Sequence, residues 1–365
     1  MKNKKIKKVL YFVNARMPTD RAHGVQIANI CESLGLQSDT TLMIPKRSNV
    51  IKKNLYNYYS IKKSFITKVI KIPDFGHIGK IFFQLHTVFF LLIVRIFIFL
   101  KKYDVYITRE VYAGIFKKDV IIEVHALPKD NVFLKYSLFR AKKILVKTSY
   151  LKKEIEKKYG INEGKVNVFP NGVNIKKFSI KQDNMDIKKS FEIPLDKTII
   201  MYTGSFFDPS WKGVDVLLNA SKLLDEKKHI VLVGGTQEEV MEINNTYKNV
   251  LAIERQSNEK IISLLQAADF LILPNSGKDL ESKYYTSPLK LFEYMAAKKN
   301  ILASDLPSIN DLVNKEEVTF FEPDNYESLA NTINKSIFDK NKIEASYKKV
   351  QLYDWKKRSD IILSL

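Results

Sequence analysis

TIIMYTGSFFDPSWKGVDVLL, residues 198–218, is the stretch whose reading decides the fold. Its first six residues form an apolar run with β-branched and aromatic members, the mark of a buried strand. Gly204 then permits a tight turn, a polar loop follows to Lys212 and Gly213, and apolar residues at helical spacing resume over 214–224. Strand, glycine turn and helix in that order form the repeating unit of a parallel sheet. Ligands of such sheets bind beyond the carboxyl ends of the strands, where Gly204, Ser205 and Lys212 fall.

The same plan repeats on both sides of this stretch. Downstream, 229–233 reads as a strand running into Gly234 and Gly235, 259–268 as a helix, 270–273 as a strand, 289–297 as a helix and 300–304 as a strand. Upstream, strands are predicted at 9–14, 104–108, 120–124 and 144–147, with a helix at 25–36. A charged stretch over 179–197 separates the two series. The expected fold class is α/β, with two doubly wound parallel-sheet domains.

A chain of 365 residues suits two such domains. Its single cysteine, Cys31, excludes an intramolecular disulfide and a multi-cysteine metal site. The net charge of +20 is unevenly placed. Residues 1–178 hold 35 Lys and Arg against 12 Asp and Glu, a balance of +23; residues 179–365 hold 25 against 28, a balance of −3. A basic half of this kind meets nucleic acid, an anionic membrane or a phosphorylated substrate. Neither a nucleic-acid-binding motif nor a regular interleaving of aromatic and basic residues is present, so no nucleic acid is expected as a partner.

Residues 81–100, IFFQLHTVFFLLIVRIFIFL, are long enough to span a bilayer. Arg95 lies inside the run, and a central arginine costs about 2.5–3.5 kcal/mol on insertion scales. The expected role is therefore a helix covering the first sheet, with an outer face that touches lipid. Lysines at 52, 53, 62, 63, 68, 71, 80, 101 and 102 surround it. The opening MKNKKIKK followed by a short apolar run reads as a basic lead-in to a first strand rather than a signal peptide.

Two motifs carry chemistry. Lys212, just before a helix, places a cation beside a phosphate held at strand and helix ends. In SPLKLFEYMA, residues 287–296, the backbone amides of Ser287, Pro288 (which lacks an N–H), Leu289 and Lys290 mark a helix start suited to a diphosphate or sugar hydroxyls. Glu293, one turn on, suits a ribose diol, although an acid near a helix start is also favoured by the helix dipole alone.

With these motifs in their order and spacing, the chain resembles the retaining, metal-independent, family-4-like glycosyltransferases of the GT-B fold, of the bacterial polysaccharide and lipopolysaccharide assembly type. RMPTDRAHGVQ at 16–26 resembles the family's first glycine-containing loop, and EVH at 123–125 its strand ending in a cleft histidine. PNGVN at 170–174 with Phe178 resembles the segment closing the N-terminal domain, and Trp355 with Arg358 a last helix crossing back onto that domain. The resemblance implies two Rossmann-like domains facing a central cleft, one spanning 1–178 and rejoined by a C-terminal helix over 347–365, the other spanning 179–346. It also implies transfer of a sugar from a nucleoside-diphosphate sugar to an acceptor hydroxyl on a lipid-linked or cell-surface glycan, with retention. It assigns His125 and Lys212 to catalysis, and Gly24, Gly204, Ser205, Lys212, Arg255, Ser287, Pro288, Leu289, Lys290 and Glu293 to the donor. Arg109 and Glu110 would face the acceptor. No Asp-x-Asp motif occurs, so no metal and no cofactor beyond the donor substrate is expected.

Two positions depart from the pattern: Ser205 stands where many relatives have arginine, and Tyr285 where many have the first of two glutamates. They leave open a non-catalytic GT-B subunit; the alternative enzyme is a nucleotide-sugar epimerase of the same fold. The expected partners are the donor, the acceptor and an anionic membrane surface, and the expected location is cytoplasmic, peripheral on the inner face of the cell membrane.

Overall fold

A computed structural model describes residues 6–74, 78–180, 183–207 and 209–365. The basic lead-in at 1–5, residues 181 and 182 of the charged stretch, Asp208 of the phosphate loop and the side chain of Lys80 lie outside the described residues.

The chain divides into two compact units. The first comprises Met1–Pro170 with Trp355–Leu365, and the second Asn171–Asp354. The division falls before the expected boundary at 178/179, because Val173 and Ile175 are buried in the core of the second unit. The return segment is likewise shorter than expected. Helix Lys340–Val350 belongs to the second unit, where Val350 is fully buried, and only the helix Trp355–Ser364 joins the first.

The first sheet contains β1 (Lys8–Phe12), β2 (Asp39–Pro45), β3 (Ile66–Ile70), β4 (Val105–Thr108), β5 (Ile121–Val124), β6 (Lys143–Val146) and β7 (Val166–Val168). They pair in parallel in the order β3-β2-β1-β4-β5-β6-β7. The second contains β8 (Thr198–Thr203), β9 (Lys228–Gly235), β10 (Val250–Glu254), β11 (Phe270–Leu273), β12 (Asn300–Ser304) and β13 (Thr319–Phe321). Its order is β10-β9-β8-β11-β12-β13. Each sheet thus runs outward from its first strand and then reverses, which puts a topological switch point between β1 and β4 and another between β8 and β11.

Local chemistry fixes the connecting helices. Thr236 and Glu239 form a capping box that starts helix Gln237–Thr246. Thr148 Oγ1 accepts from Leu151 N–H to start helix Ser149–Tyr159, and left-handed Gly160 (φ 64°) ends it.

Helix Lys80–Leu100 covers the first sheet rather than leaving it. Phe90, Leu91, Val94 and Ile98 are buried along one stripe. Its polar residues are engaged as well. Asn14 Nδ2 donates to Thr87 Oγ1 at 2.7 Å, and Arg47 Nη2 lies 3.1 Å from His86 Nδ1 and donates to Asn14 Oδ1 at 2.8 Å. It is the one helix among the described residues long and apolar enough to cross a membrane, and most of its length remains outside the core.

Gly213 sets the loop that follows β8. It is left-handed (φ 69°), and a Cβ there would stand 1.8 Å from the carbonyl oxygen of Pro274, the residue after β11. The loop therefore lies against the backbone of the switch point itself. Gly213→Ala should destabilise the second unit by at least about 2 kcal/mol, since backbone strain and displacement of Pro274 add. Denaturant unfolding of the variant measures this loss.

Candidate active site

In the second unit, three adjacent strand ends and two helix starts gather at the carboxyl edge of the sheet. Gly204 follows β8 with φ 133°. Ser205 comes next, and Lys212 Nζ donates to its Oγ across the loop. Tyr202 OH donates to Ser205 O at 2.9 Å, which holds the turn from below.

The helix Leu289–Ala296 docks against the same turn. The phenol of Tyr294 accepts from Thr203 N–H at 3.1 Å. Lys290 lies one helical turn earlier on the same face, so anchoring Tyr294 delivers Lys290 to Gly204. Its Nζ lies 2.9 Å, and its Cε 3.2 Å, from where a Cβ on Gly204 would be. Glycine at 204 is therefore required by the lysine as well as by the turn. The helix begins after Pro288, with no side chain among the described residues capping it, so its first amides face outward from the helix end. Ser287, just before, is buried and tied to Asn171, whose backbone N–H donates to Ser287 Oγ at 3.0 Å and whose Nδ2 donates to Ser287 O.

Charge at this edge is poorly compensated. Lys290 Nζ is buried without a hydrogen-bond partner among the described residues, 3.8 Å from the centroid of the Tyr202 ring. A desolvated cation–π contact returns about 2 kcal/mol, less than the several kcal/mol that dehydrating an ammonium costs. Burial, reinforced by Lys212 and opposed by Glu293, accordingly holds the Lys290 amine well below the usual lysine range. Burial raises Glu293, against the pull of Lys290 and Lys177. Asn275 Nδ2, after β11, and Ser304 Oγ, at the end of β12, are also buried without partners among the described residues. Native chains rarely leave such groups unpaired, at about 1–3 kcal/mol each, without a use for them.

In the first unit, the carboxyl ends of β4, β5 and β6 carry Arg109, His125 and Lys147. His125 Nε2 lies 3.4 Å from Glu123 Oε2, which also accepts from Tyr11 OH at 3.1 Å. Arg358, brought by the last helix, places Nη2 3.5 Å from Glu123 Oε1, donates from Nη1 to Phe169 O at 3.0 Å, and lies with its Cζ 3.6 Å from the Phe169 ring centroid. Burial acts to raise Glu123, but Lys147, then His125 and Arg358, outweigh it and hold the carboxylate ionised. Burial, with Lys147 and Arg109, pushes His125 well below its ordinary value, so the imidazole is neutral at pH 7. It donates Nε2–H to Glu123 and keeps Nδ1 as an acceptor.

The anticipated residues thus fall into two groups. Gly204, Ser205, Lys212, Ser287, Pro288, Leu289, Lys290 and Glu293 belong to the edge of the second unit just described. Arg255 is exposed after the outer strand β10, two strands from β8. His125 and Arg109 lie at adjacent strand ends of the first unit, and Arg109 Nη1 donates to Gln26 Oε1 at 3.1 Å. Glu110 Oε1 accepts Asn14 N–H at 2.7 Å across the first switch point. Gly24 departs most from its expected role. Its N–H donates to Arg21 O, and a Cβ there would stand 2.1 Å from Tyr59 OH, so its close approach is to Tyr59 rather than to a phosphate. Glu123 and Lys147 were missed as a pair, although both interrupt or end apolar runs in the sequence. A cavity of about 580 Å³ lined by Thr198, Lys228, Phe270 and Lys299 opens at the amino ends of the second sheet's strands, away from this chemistry.

Residues 197–339 match the family model of glycosyl transferases group 1. A search of curated proteins returns no match. Among solved structures, the chain is similar to a glycosyltransferase from Rickettsia africae ESF-5 (17% identity, TM-score 0.73, covering 99% of this chain and 97% of that one). It is similar to HepE from Anabaena in complex with UDP-glucose (15%, 0.71, 98% and 98%). It is also similar to WaaG, a glycosyltransferase involved in lipopolysaccharide biosynthesis (15%, 0.67, 97% and 99%). These likenesses identify the fold as GT-B, with two Rossmann-like parallel-sheet domains.

The first unit should lose stability in mild acid. Burial, with Arg109 and Arg21 beside it, lowers His23 to about 4, against about 6.5 in the unfolded chain. Below pH 6.5 the unfolded chain takes the proton first, so the contribution is full above 6.5 and is lost as pH falls to about 4. His125 shifts in the same sense. Thermal unfolding should move down by a few degrees over this window, and His23→Gln should flatten the change.

Proposed function

We propose that this chain, which carries a glycosyl transferases group 1 domain on a GT-B fold, moves a glycosyl unit from a nucleoside-diphosphate sugar to an acceptor hydroxyl on a lipid-linked or cell-surface glycan, with retention and without a metal ion. The observation that carries the donor half is the convergence of Lys212, Lys290 and the start of helix Leu289–Ala296 on Gly204 at the switch point of the second sheet. HepE, of similar fold, binds UDP-glucose.

Leaving-group charge develops on the diphosphate as the glycosidic bond breaks. Lys212, Lys290 and the amides of Leu289 and Lys290 stabilise it at low dielectric. Glu293 accepts from the ribose hydroxyls. A donor phosphate oxygen receives the acceptor proton, and the first unit contributes neutral His125 to the reacting sugars as a hydrogen-bond acceptor. Arg109 and Glu110 serve the acceptor side.

The proposed setting is the cytoplasmic face of an anionic membrane. Helix Lys80–Leu100 exposes Phe89, Ile96 and Phe99, and helix Val132–Arg140 exposes Val132, Phe133, Tyr136 and Phe139. Three lysines lie over aromatic rings of the first unit: Lys68 over Phe97 at 3.8 Å, Lys101 over Tyr103 at 5.5 Å and Lys135 over Phe139 at 5.9 Å. Each lysine near such a surface contributes about 1 kcal/mol, and inserted apolar side chains add to it.

Transfer from a panel of nucleoside-diphosphate sugars to lipid-linked acceptors tests the activity. Lys212→Ala and Glu293→Ala should each lose about 1.5–3 kcal/mol of donor binding or turnover, and excess EDTA should leave the rate unchanged. Wild-type rates in both variants would remove the donor site, and loss of activity with EDTA reversed by manganese would remove the metal-free mechanism. Vesicle sedimentation tests the setting. Binding should rise with anionic lipid, fall with salt, and weaken in a Lys68→Gln, Lys101→Gln, Lys102→Gln and Lys135→Gln variant; equal binding to neutral vesicles would refute it.

A further inference from the structure

The Lys290 amine is placed as a phosphate ligand yet lacks what an ammonium needs when no phosphate is bound. Its Nζ is buried and has no hydrogen-bond partner among the described residues, while the rest of the side chain is only half-buried. It stands in the space that a Cβ on Gly204 would occupy, at the strand end where the backbone turns. The charged and titratable groups around it come from every element packed there. Lys212 comes from the loop after β8, Tyr202 from β8 itself, and Glu293 and Tyr294 from its own helix; Lys177 in turn faces Glu293. Two lysines therefore point at one small volume, and the Glu293 carboxyl group is itself pushed toward its neutral form by burial.

We propose that Lys290 is uncharged in the unliganded protein and takes up one proton from solvent as the donor's diphosphate arrives, so that donor binding and protonation of this amine are a single coupled event. The inference rests on the donor-site reading above and specifies how that site acts. Before binding, burial, the repulsion of Lys212 and the lack of an acceptor all favour the amine, and the lowered pKa accords with this. A diphosphate brings anionic oxygens, which both accept hydrogen bonds from an ammonium and screen it from Lys212. The proton is the only species added besides the ligand, and charge balances as the anion meets the new cation. Affinity then depends on pH in a defined direction. Since binding consumes a proton, affinity should fall by up to tenfold per pH unit between the free and bound pKa of Lys290. Product release is eased by the same linkage, because the departing diphosphate leaves behind a cation that sheds its proton.

Isothermal titration calorimetry with UDP, GDP, ADP and dTDP at pH 8, in two buffers of different ionisation enthalpy, tests this. At that pH the terminal phosphate, with a second pKa of about 6, is already ionised, so uptake reports on the protein. The wild-type chain should take up close to one proton. Lys290→Arg, permanently charged, should bind with no uptake, and Lys290→Met should bind at least tenfold more weakly. Lys290→Met should also raise the thermal midpoint of the unliganded chain, because it removes an unpartnered buried amine; that readout needs no ligand. Equal proton uptake by wild type and Lys290→Arg, or unchanged affinity in Lys290→Met while Lys212→Met and Glu293→Gln bind weakly, would overturn the proposal and leave the donor site standing. Binding unaffected by all three of Lys212→Met, Glu293→Gln and Lys290→Met, or no binding of any of the four nucleotides, would remove the donor site and the proposal together.

Discussion

The buried guanidinium of Arg358 is the constraint on which the first unit depends. A charge with 4% of its surface exposed persists only where its partners are fixed. Here the partners are the Glu123 carboxylate, the Phe169 carbonyl and the Phe169 ring. Glu123 in turn holds His125 and Tyr11, and these occupy the ends of β5 and β1. The last helix is secured by ordinary means as well. Ser33 and Ser359 hydroxyls meet at 2.8 Å, Gln37 donates to Ser359, and Trp355 and Ile362 are buried. The ion pair nevertheless bears most directly on the histidine, because it engages the carboxylate that His125 contacts. Removing Arg358 would take the guanidinium from Glu123 and loosen the carboxylate that holds the imidazole.

The second unit solves a different problem, the close approach of backbone to backbone. Gly213 lies against the Pro274 carbonyl, and Gly234 against Gly204, where a Cβ would stand 2.6 Å from the Gly204 oxygen. These glycines let the loops after β8, β9 and β11 converge on one spot. Side chains with charge then enter from helices: Lys212 before the first, Lys290 and Glu293 on the later one. The density of unpaired polar atoms here is intelligible if the edge is completed by a polar ligand. Strand β8 itself is apolar and closed off, with Ile199, Ile200, Met201 and Tyr202 fully buried.

Much of this was legible in the residues. Strands β8, β11 and β12 carry continuous apolar runs with sharp polar boundaries, and their limits match the expected ones to the residue. Strand β2 begins with the polar DTT, β3 is an edge strand with Ile66 and Val69 exposed, and β7 and β13 have three residues each. The edge and short segments bury too little apolar surface to announce themselves, and the polar start of β2 masks the buried Leu42, Met43 and Ile44 behind it. The residues that gather at the carboxyl edge of the second sheet were readable because they fall in two short contiguous motifs. The cluster around Glu123 was not. It joins residues 11, 109, 123, 125, 147 and 358, and no local pattern reveals that an arginine so distant in sequence neutralises a glutamate in the middle of a strand. Gly24 illustrates the opposite failure. The resemblance assigned it to the donor, whereas the space beside it is filled by Tyr59 from a segment with no motif at all.

The position of Arg358 in the chain has a consequence for synthesis. Met1–Pro170 leaves the ribosome before the roughly 180 residues of Asn171–Asp354, which at about 5–20 residues per second take on the order of 10–40 s to make. Throughout that interval the nascent first unit has its sheet but lacks the helix that covers Ala22–Gly35 and the cation that matches Glu123. It must persist as an incomplete fold, with the apolar surface of helix Lys80–Leu100 already exposed. A chain built this way closes its first unit only when the helix Trp355–Ser364 has been made.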